Sequence, residues 1–572
     1  MDTGNDIPGP QTPLLNDVVS GCVDFKRRPS VRSKSGCWNS ASFIIGVEMA
    51  ERFAYYGISS NLVTYLTGPL GQPTATAVAN VNAWSGTAAL SPLVGAFIAD
   101  SFLGRYRTII IASVLYILGL GFLCLSAALN SVNSSEIKND VDSLAYSPLP
   151  PYLQIFFFFS LYLVALAQGG HKPSLQAFGA DQFDEEHQKE SKAKASFFNW
   201  WNFALCLSVL ASLLLLNYIQ ENMSWELGFG IPSIVMCFAL FVFLFGTVNY
   251  RYRISSDESN PFARISSVFV KTAINWQATL SDPSTDGEAR PILHHEDSQF
   301  RLLENALIIP EGSKNNTKGC SVADIEEAKA ILRLVPLWSS CLGYAIAYTQ
   351  PSTLFTKQGA TMDRYITSSF QIPAASLQCL IAFSIFAFIP IYDLILVPIT
   401  RAITKKPSGI STLQRIGIGI LLSFVALVIA AFVERKRLAT AIEHGLADLP
   451  KATVPMSIWW LAPQYVVFGI ADAFTYVGLQ EFFYDQVSTY MKSVGIALCL
   501  GLIGIGNFLS SFLVSAIEKI TSKQGDDGWF SDNLNRAHLD YFYWVLAGIS
   551  AFAFSAYVYF ARSYVYHRRV TA

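Results

Sequence analysis

The sequence predicts an all-α membrane protein, with twelve transmembrane helices arranged as two six-helix bundles. Composition points there first: of 572 residues, 52% are hydrophobic and only 14% charged, against about 25% charged in soluble domains. The 41 Phe are gathered in runs such as "IFFFFSLYLVALA" (155–167) and "FALFVFLFG" (238–246). Stretches of the roughly 20 apolar residues needed to cross a bilayer recur near 41–66, 76–99, 107–130, 152–178, 197–219, 228–248, 328–355, 373–397, 413–433, 456–480, 492–517 and 540–562.

Residues 1–40 form a polar, Pro-rich tail whose Lys26, Arg27, Arg28, Arg32 and Lys34 precede the first apolar run. Basic residues favour the cytoplasmic side, so the tail is expected there and no cleavable signal peptide is read. Six spans fill 41–248. A polar segment, 249–327, then forms a cytoplasmic linker, in which "DSQFRLLENALI" is a candidate amphipathic helix. The other six spans fill 328–562, and 563–572 is a second cytoplasmic tail. Basic residues at Arg105, Arg107, Lys189, Lys192, Lys194, Arg251, Arg253, Arg401, Lys405, Lys406, Arg562, Arg568 and Arg569 support this orientation. "ERKR" (434–437) falls on the wrong side for the rule.

Net charge is −2 and no basic recognition motif appears, so no nucleic-acid partner is expected. The nine Cys form no CxxC or Cys/His cluster and read as small buried hydrophobes, with no metal site. No nucleophile–base set or phosphate loop is present, and "GLIGIGNF" (501–508) reads as small-residue helix packing. The chain is not expected to be an enzyme. Its expected partners are a small solute, protons and the lipid bilayer.

The first span holds the informative violation. "VEMAERFAYYG" (47–57) places Glu48, Glu51 and Arg52 inside an apolar stretch, where each charge costs at least about 2.5–3.5 kcal/mol at the bilayer centre. At 100° per residue they fall at roughly 0°, 300° and 40°, on one helix face. Glu48 and Arg52 form an i,i+4 pair. The second acid leaves the trio negative, which suits a partner base or a proton. Lys172, in "ALAQGGHKPSLQAFGADQF" (165–183), is the candidate base, with Gly169, Gly170 and Pro173 expected to interrupt span four and let backbones approach. His171 beside it reads equally as packing or as functional. Acids sharing bases in this way are poised to gain or lose a proton, as in a transporter's relay.

Each half also repeats one feature. Span two ends "GAFIADSFLGRYRT" (95–108) and span eight ends "IPIYDLILVPITR" (389–401), pairing Asp100 with Arg105 and Asp393 with Arg401 as conformational latches. The same ordinal place in both halves points to internal duplication.

"EMAERFAYYG" resembles the ExxE[RK]FxYYG signature of the proton-dependent oligopeptide transporter family. "SSNLVTYLTGPLG" (59–71) is similar to its plant nitrate/peptide branch, and "LGRYRT", "GHKPSLQAFGADQFD", "FFNWWNF" (197–203) and "ADAFTYVGLQEFFYDQ" (471–486) extend the match. The resemblance implies a major facilitator fold, in which two bundles rock about a central cavity, driven by a proton gradient with no cofactor. It implies proton coupling by Glu48, Glu51, Arg52 and Lys172, and a cavity-facing acid at Asp472. It also implies that Thr108 is a site for a regulatory kinase. Three departures bear on the solute. Peptide-transporting members commonly continue YYG with Met-Arg, where this chain has "YYGISS", and Asp472 is one methylene shorter than the usual Glu. The His of the best understood nitrate pattern is replaced by Tyr348 in "AIAYTQPSTLF" (345–355). Tyr348 and Gln350 remain candidate donors to an anion, and Tyr55, Tyr56, Asn61, Trp201 and Tyr476 are candidate cavity residues, with helix packing as their alternative role.

The expectation is a symporter of nitrate or a similar small organic anion, in a plasma or vacuolar membrane. The rivals are a di- or tripeptide transporter, a uniporter or exporter, and a nutrient sensor.

Overall fold

A computed structural model describes residues 18–139, 150–184, 187–253, 261–274, 303, 321–368, 370–404, 410–487, 492–522 and 528–564. The chain divides into two compact units, the first made of 1–258 with 364–379 and the second of 259–363 with 380–572. In each unit, "inner" denotes the end that the chain enters from the preceding polar segment.

The first unit opens with two strands, β1 (Val18–Val23) and β2 (Pro29–Val31). Its helices are α1 (Trp38–Ser59), α2 (Leu62–Thr67), α3 (Thr74–Ile98), α4 (Arg105–Asn139), α5 (Pro151–Ala180), α6 (Gln188–Ala211), α7 (Asn217–Asn222) and α8 (Trp225–Phe245). Strand β3 (Tyr252–Arg253) follows and pairs with β1, so the N-terminal segment closes a three-stranded sheet with the exit of the sixth span. The expected tail is thus partly folded.

The second unit begins with α9 (Pro261–Ile274), α10 (Val322–Ser340), α11 (Leu342–Ala347) and α12 (Leu354–Ala360). Short strands β4 (Met362–Asp363), β5 (Tyr365–Thr367) and β6 (Phe370–Gln371) come next, of which β5 and β6 belong to the first unit. The remainder is α13 (Cys379–Ile391), α14 (Val397–Thr404), α15 (Thr412–Glu443), β7 (Val454–Ser457), α16 (Ala462–Gln486), α17 (Lys492–Thr521) and α18 (Leu539–Ser563). Inside the linker, Val268 of α9 packs with Leu303, Ile325 and Ala328, while Arg264 pairs with Asp324. Burial pushes the Asp324 carboxyl up, but hydrogen bonds with Ser321 and Arg264 outweigh it and hold the group below its ordinary value. Apart from Leu303, the segment "DSQFRLLENALI" lies outside the described residues.

Among the described residues, nine helical stretches are long and apolar enough to cross a membrane. The expected spans at 41–66, 76–99 and 328–355 are helical but fall outside that set. Glu48, Glu51 and Arg52 lower the first, and Asn80 and Asn82 the second. The third is broken into α10, α11 and α12.

The two halves share their irregularities. The first span of each is interrupted towards its outer end, at Ser60–Asn61 and at 348–353. The second span of each contains a π-helical turn, Ala99–Leu103 and Tyr392–Leu396. These are the places of Asp100 and Asp393. Wide turns of this kind mark functional positions more often than chance, and their recurrence extends the internal repeat from sequence to backbone.

Packing follows the small residues. A Cβ on Gly95 of α3 would lie 2.0 Å from the Gly169 carbonyl oxygen of α5, and one on Gly169 would meet Ser91 at 2.6 Å. Helices approach this closely in membranes only where a side chain is absent. Gly169, Gly170 and Pro173 were expected to interrupt span four. Instead α5 runs unbroken from Pro151 to Ala180, and its glycines serve the close approach alone.

"ERKR" is accounted for by burial. Arg437 and Glu434 are both fully buried, with Nε donating to Oε2 at 2.8 Å and Nη2 to Oε1 at 2.6 Å. The remaining donors reach Asn535 Oδ1 (2.8 Å), the Leu534 carbonyl (2.6 Å) and Thr361 (3.2 Å). Lys436 lies over the Trp460 ring at 3.4 Å. Two of the three bases therefore staple the outer end of the second unit and do not report topology.

Candidate transport site

In the first unit, α1 presents the charged trio to its neighbours. Glu48, Glu51 and Arg52 are buried, at 2%, 0% and 5% exposure. Arg52 Nε lies 2.8 Å from Glu48 Oε1 and 2.9 Å from Glu51 Oε2. A guanidinium Nε carries one hydrogen, and here it is donated to Glu48. Glu51 thus sits beside the positive charge without that proton. Its other contacts are a long hydrogen bond from Tyr116 of α4 (3.5 Å) and an electrostatic interaction with Lys172 of α5. Among the described residues, Glu48 Oε2 and Arg52 Nη2 have no hydrogen-bond partner. His171 is fully buried, packs edge-on against Tyr116, and neither ring nitrogen has a partner among the described residues.

Three of the four expected proton-coupling residues therefore share one buried region, and the half-buried Lys172 reaches it electrostatically through Glu51. Sequence reasoning missed Tyr116, because nothing local in "SVLYILG" ties it to a helix 65 positions earlier. Tyr55 stacks on Trp84 (centroids 5.6 Å) and meets Tyr56 edge-on. Asn61, at the break between α1 and α2, donates to Gln220 (3.2 Å). Trp201 is buried against Phe197, which makes it a packing residue of α6.

In the second unit, Asp472 of α16 accepts a hydrogen bond from Tyr344 of α11 at 2.7 Å, and both are buried. Tyr344 was not singled out from sequence, although it lies one helical turn before Tyr348. Tyr348 stacks on Tyr476 (6.3 Å, 19°). Gln350 lies in the break before α12, donating to the Ile346 carbonyl and to Thr349. Discontinuous helices with loosened backbone are where transporters of this architecture build solute sites.

The two latch acids, Asp100 and Asp393, have side chains outside the described residues, so the structure shows only what their expected bases meet. Arg105 pairs with Asp181 at the inner end of α5, at 2.5 Å, and the Asp100 side chain lies outside the described residues. In the second unit the matching link is Arg415 at the start of α15 with Glu481 near the end of α16, at 3.3 Å, where Arg415 also donates to the Ala473 carbonyl. Arg401 is exposed and makes no ion pair among the described residues, and the Asp393 side chain is outside them. Both observed links join third and fourth spans of a half, where the sequence reading had paired residues around the loop after the second. Thr108 is buried in the first turn of α4, its hydroxyl donating to the Gly104 carbonyl at 3.0 Å.

Comparison with known proteins settles the family. Residues 106–530 match the PTR2 model, described as POT family. The chain belongs to the POT family. It is 57% identical over 562 residues to protein NRT1/PTR FAMILY 5.10 of Arabidopsis thaliana, covering 98% of both chains. It is 52% identical to NRT1/PTR FAMILY 5.12 of the same plant, covering 97% of both. Among solved structures, an auto-inhibited POT family peptide transporter matches with a TM-score of 0.70 at 22% identity, over 93% of this chain and 98% of that one. A POT family transporter in complex with 5-aminolevulinic acid matches at 0.59 and 17%, over 91% and 96%. This POT family member is therefore a multi-pass membrane transporter of the plant NRT1/PTR type, from a family of transporters and not of enzymes.

Proposed function

We propose that this transporter is a proton-coupled symporter of a small anionic solute, nitrate or a small organic anion, in a plasma or vacuolar membrane with both termini cytoplasmic. The observation that supports it most is the shared Arg52 guanidinium, whose single Nε hydrogen serves Glu48 and leaves Glu51 in need of a proton or of Lys172. Protonation of Glu51 frees positive charge on Arg52 and Lys172. Loss of that proton restores the attraction. A buried site where such an exchange changes net charge by one is a means of coupling a proton gradient to a change of conformation.

The solute class rests on the second unit. A peptide's ammonium is met in family members by a Glu, where this chain has the shorter Asp472, whose Oδ1 is held by the Tyr344 hydroxyl. Within the first unit, the buried positive charge of Arg52 favours an anion instead. Thr108 is retained as a regulatory phosphorylation site that requires its helix turn to open.

Two-electrode voltage clamp on oocytes tests this, with nitrate, a dipeptide and a panel of organic anions applied at acidic and near-neutral bath pH. An inward current with an anion, present only in acid and lost in Glu51→Gln, is the expected result. Current with the dipeptide alone overturns the anion assignment, and pH-independent flux overturns the coupling.

A further inference from the structure

The basic N-terminal segment holds a feature that transport does not absorb. "RRPSV" (27–31) sets Arg27 and Arg28 three and two residues before Ser30, with Val31 after it. Paired arginines at that distance and an apolar residue next are what a basophilic Ser/Thr kinase reads, since its acidic substrate groove matches the two charges.

The structure separates the two parts of this motif. Arg27 and Arg28 are exposed in the turn that joins β1 to β2, where Asp24 Oδ1 accepts from the Lys26 and Arg28 amides and Arg27 takes a left-handed φ of 61°. Ser30 lies in β2 and is fully buried. Its hydroxyl has no hydrogen-bond partner among the described residues, which is unfavourable in a buried place.

The sheet is the outermost part of a clasp on the inner end of the first unit. Arg251 donates to Glu190 at 2.7 Å, to the Ser35 carbonyl at 2.7 Å and to the Gln182 carbonyl at 3.2 Å. Arg32 pairs with Asp184 at 2.6 Å and lies 3.1 Å from Glu190. The Cys37 amide reaches the Gln182 carbonyl, and the Gly36 amide and Ser40 hydroxyl reach the Asn249 carbonyl. Gly36 adopts φ +77°, and a Cβ there would lie 2.1 Å from Arg251 Nε, so only glycine lets the guanidinium pass. Together these bonds tie the N-terminal segment to the inner ends of α5, α6 and α8.

We propose that Ser30 is a phosphorylation site and that its modification holds this clasp open. Ser30 Oγ attacks the γ-phosphorus of ATP. The new O–P bond forms as the bond to the β–γ bridging oxygen breaks, ADP leaves, and the hydroxyl proton passes to the kinase's carboxylate. The kinase must act on the open strand. The resulting group carries about −1.5 to −2 charge at neutral pH, and it cannot return to a fully buried place, since the cations of the clasp, Arg32 and Arg251, are engaged by Asp184 and Glu190. Closure and modification are then mutually exclusive, and a segment that frays spontaneously becomes a switch.

The test uses the full-length protein in nanodiscs, with MgATP and the catalytic subunit of cAMP-dependent protein kinase as the basophilic probe. Site mapping by mass spectrometry and hydrogen exchange are read together. Ser30 is expected to be labelled, and the double variant Arg27→Ala/Arg28→Ala, which leaves the buried strand untouched, to lose labelling by about tenfold or more. Amides of 18–23, 30–31 and 252–253 are expected to exchange about tenfold faster after labelling. Ser30→Ala, which removes the orphan hydroxyl, is expected to exchange no faster than the parent. An unlabelled full chain beside a labelled synthetic peptide of residues 21–36 overturns the proposal, as do labelling with unchanged exchange and faster exchange in Ser30→Ala.

Discussion

The molecule holds two buried clusters of acids and arginines, and they differ in one respect. At the outer end of α15, one Glu434 meets one Arg437 through two hydrogen bonds, and three further acceptors take up the other donors. On α1, two acids meet one arginine at a single Nε, and Glu48 Oε2 and Arg52 Nη2 are left without partners among the described residues. The first cluster is charge-balanced and saturated, so it can only stabilise. The second has hydrogen-bonding atoms to spare and a second acid, Glu51, that shares Arg52 and interacts with Lys172, and the proposed coupling assigns it a change of state. Burial of charge alone does not distinguish a structural pair from a working one; the count of protons against acceptors does.

The comparison breaks most sharply on function. Glu51→Gln is expected to reduce gradient-driven uptake to background while the unfolding midpoint of the purified protein stays where it was. Glu434→Gln should do the reverse. Leaving Arg437 buried without its carboxylate costs about 3–5 kcal/mol, which thermal unfolding in detergent would register, while uptake per folded molecule is retained. If both variants lose stability and neither loses coupling, the two clusters are the same kind of object.

Tyr344→Phe sharpens the contrast in the second unit. It removes one donor to Asp472, about 1.5–3 kcal/mol for a hydrogen bond to a charged group. It should raise the affinity for cationic or zwitterionic solutes by freeing the carboxylate, as read by competition uptake. The smallest effect belongs to the linker. Asp324→Asn should cost about 0.2–1 kcal/mol, as exposed ion pairs do. The Asp324 carboxyl is held below its ordinary value, so its contribution is present above that ordinary value and is lost as pH falls through the lowered one. In strong acid the variant and the parent should therefore unfold alike.

What sequence made legible was local or periodic. The face shared by Glu48, Glu51 and Arg52 follows from helix geometry alone, and the hydrophobic runs follow from bilayer thickness. The partners of Arg105 and of Arg437 did not follow, because Asp181 and Asn535 lie 76 and 98 residues away. "ERKR" looked like a topological exception because a positive-inside count treats every base as solvated, and Arg437 is not. The glycines of α5 predict both a loosened helix and a close approach of backbones, and only the approach is observed. Their real use, against Ser91 and Gly95, depends on a neighbouring helix that no local window contains. The break at Ser60–Asn61 has no local signal and is held by hydrogen bonds to Asn217 and Gln220, whereas Pro351 marks the one at 348–353 in the sequence.

Residues 364–379 leave the second half of the chain and are built into the first unit, where Arg364 pairs with Glu221 at 2.6 Å, Phe370 stacks on Tyr218, Ser376 donates to the Leu213 carbonyl and Gln378 to that of Ser60. A gene divided between codons 258 and 259 would therefore not yield two self-sufficient products. The first fragment would be missing a piece that only the second encodes, so functional complementation would demand that both be made in the same membrane at the same time.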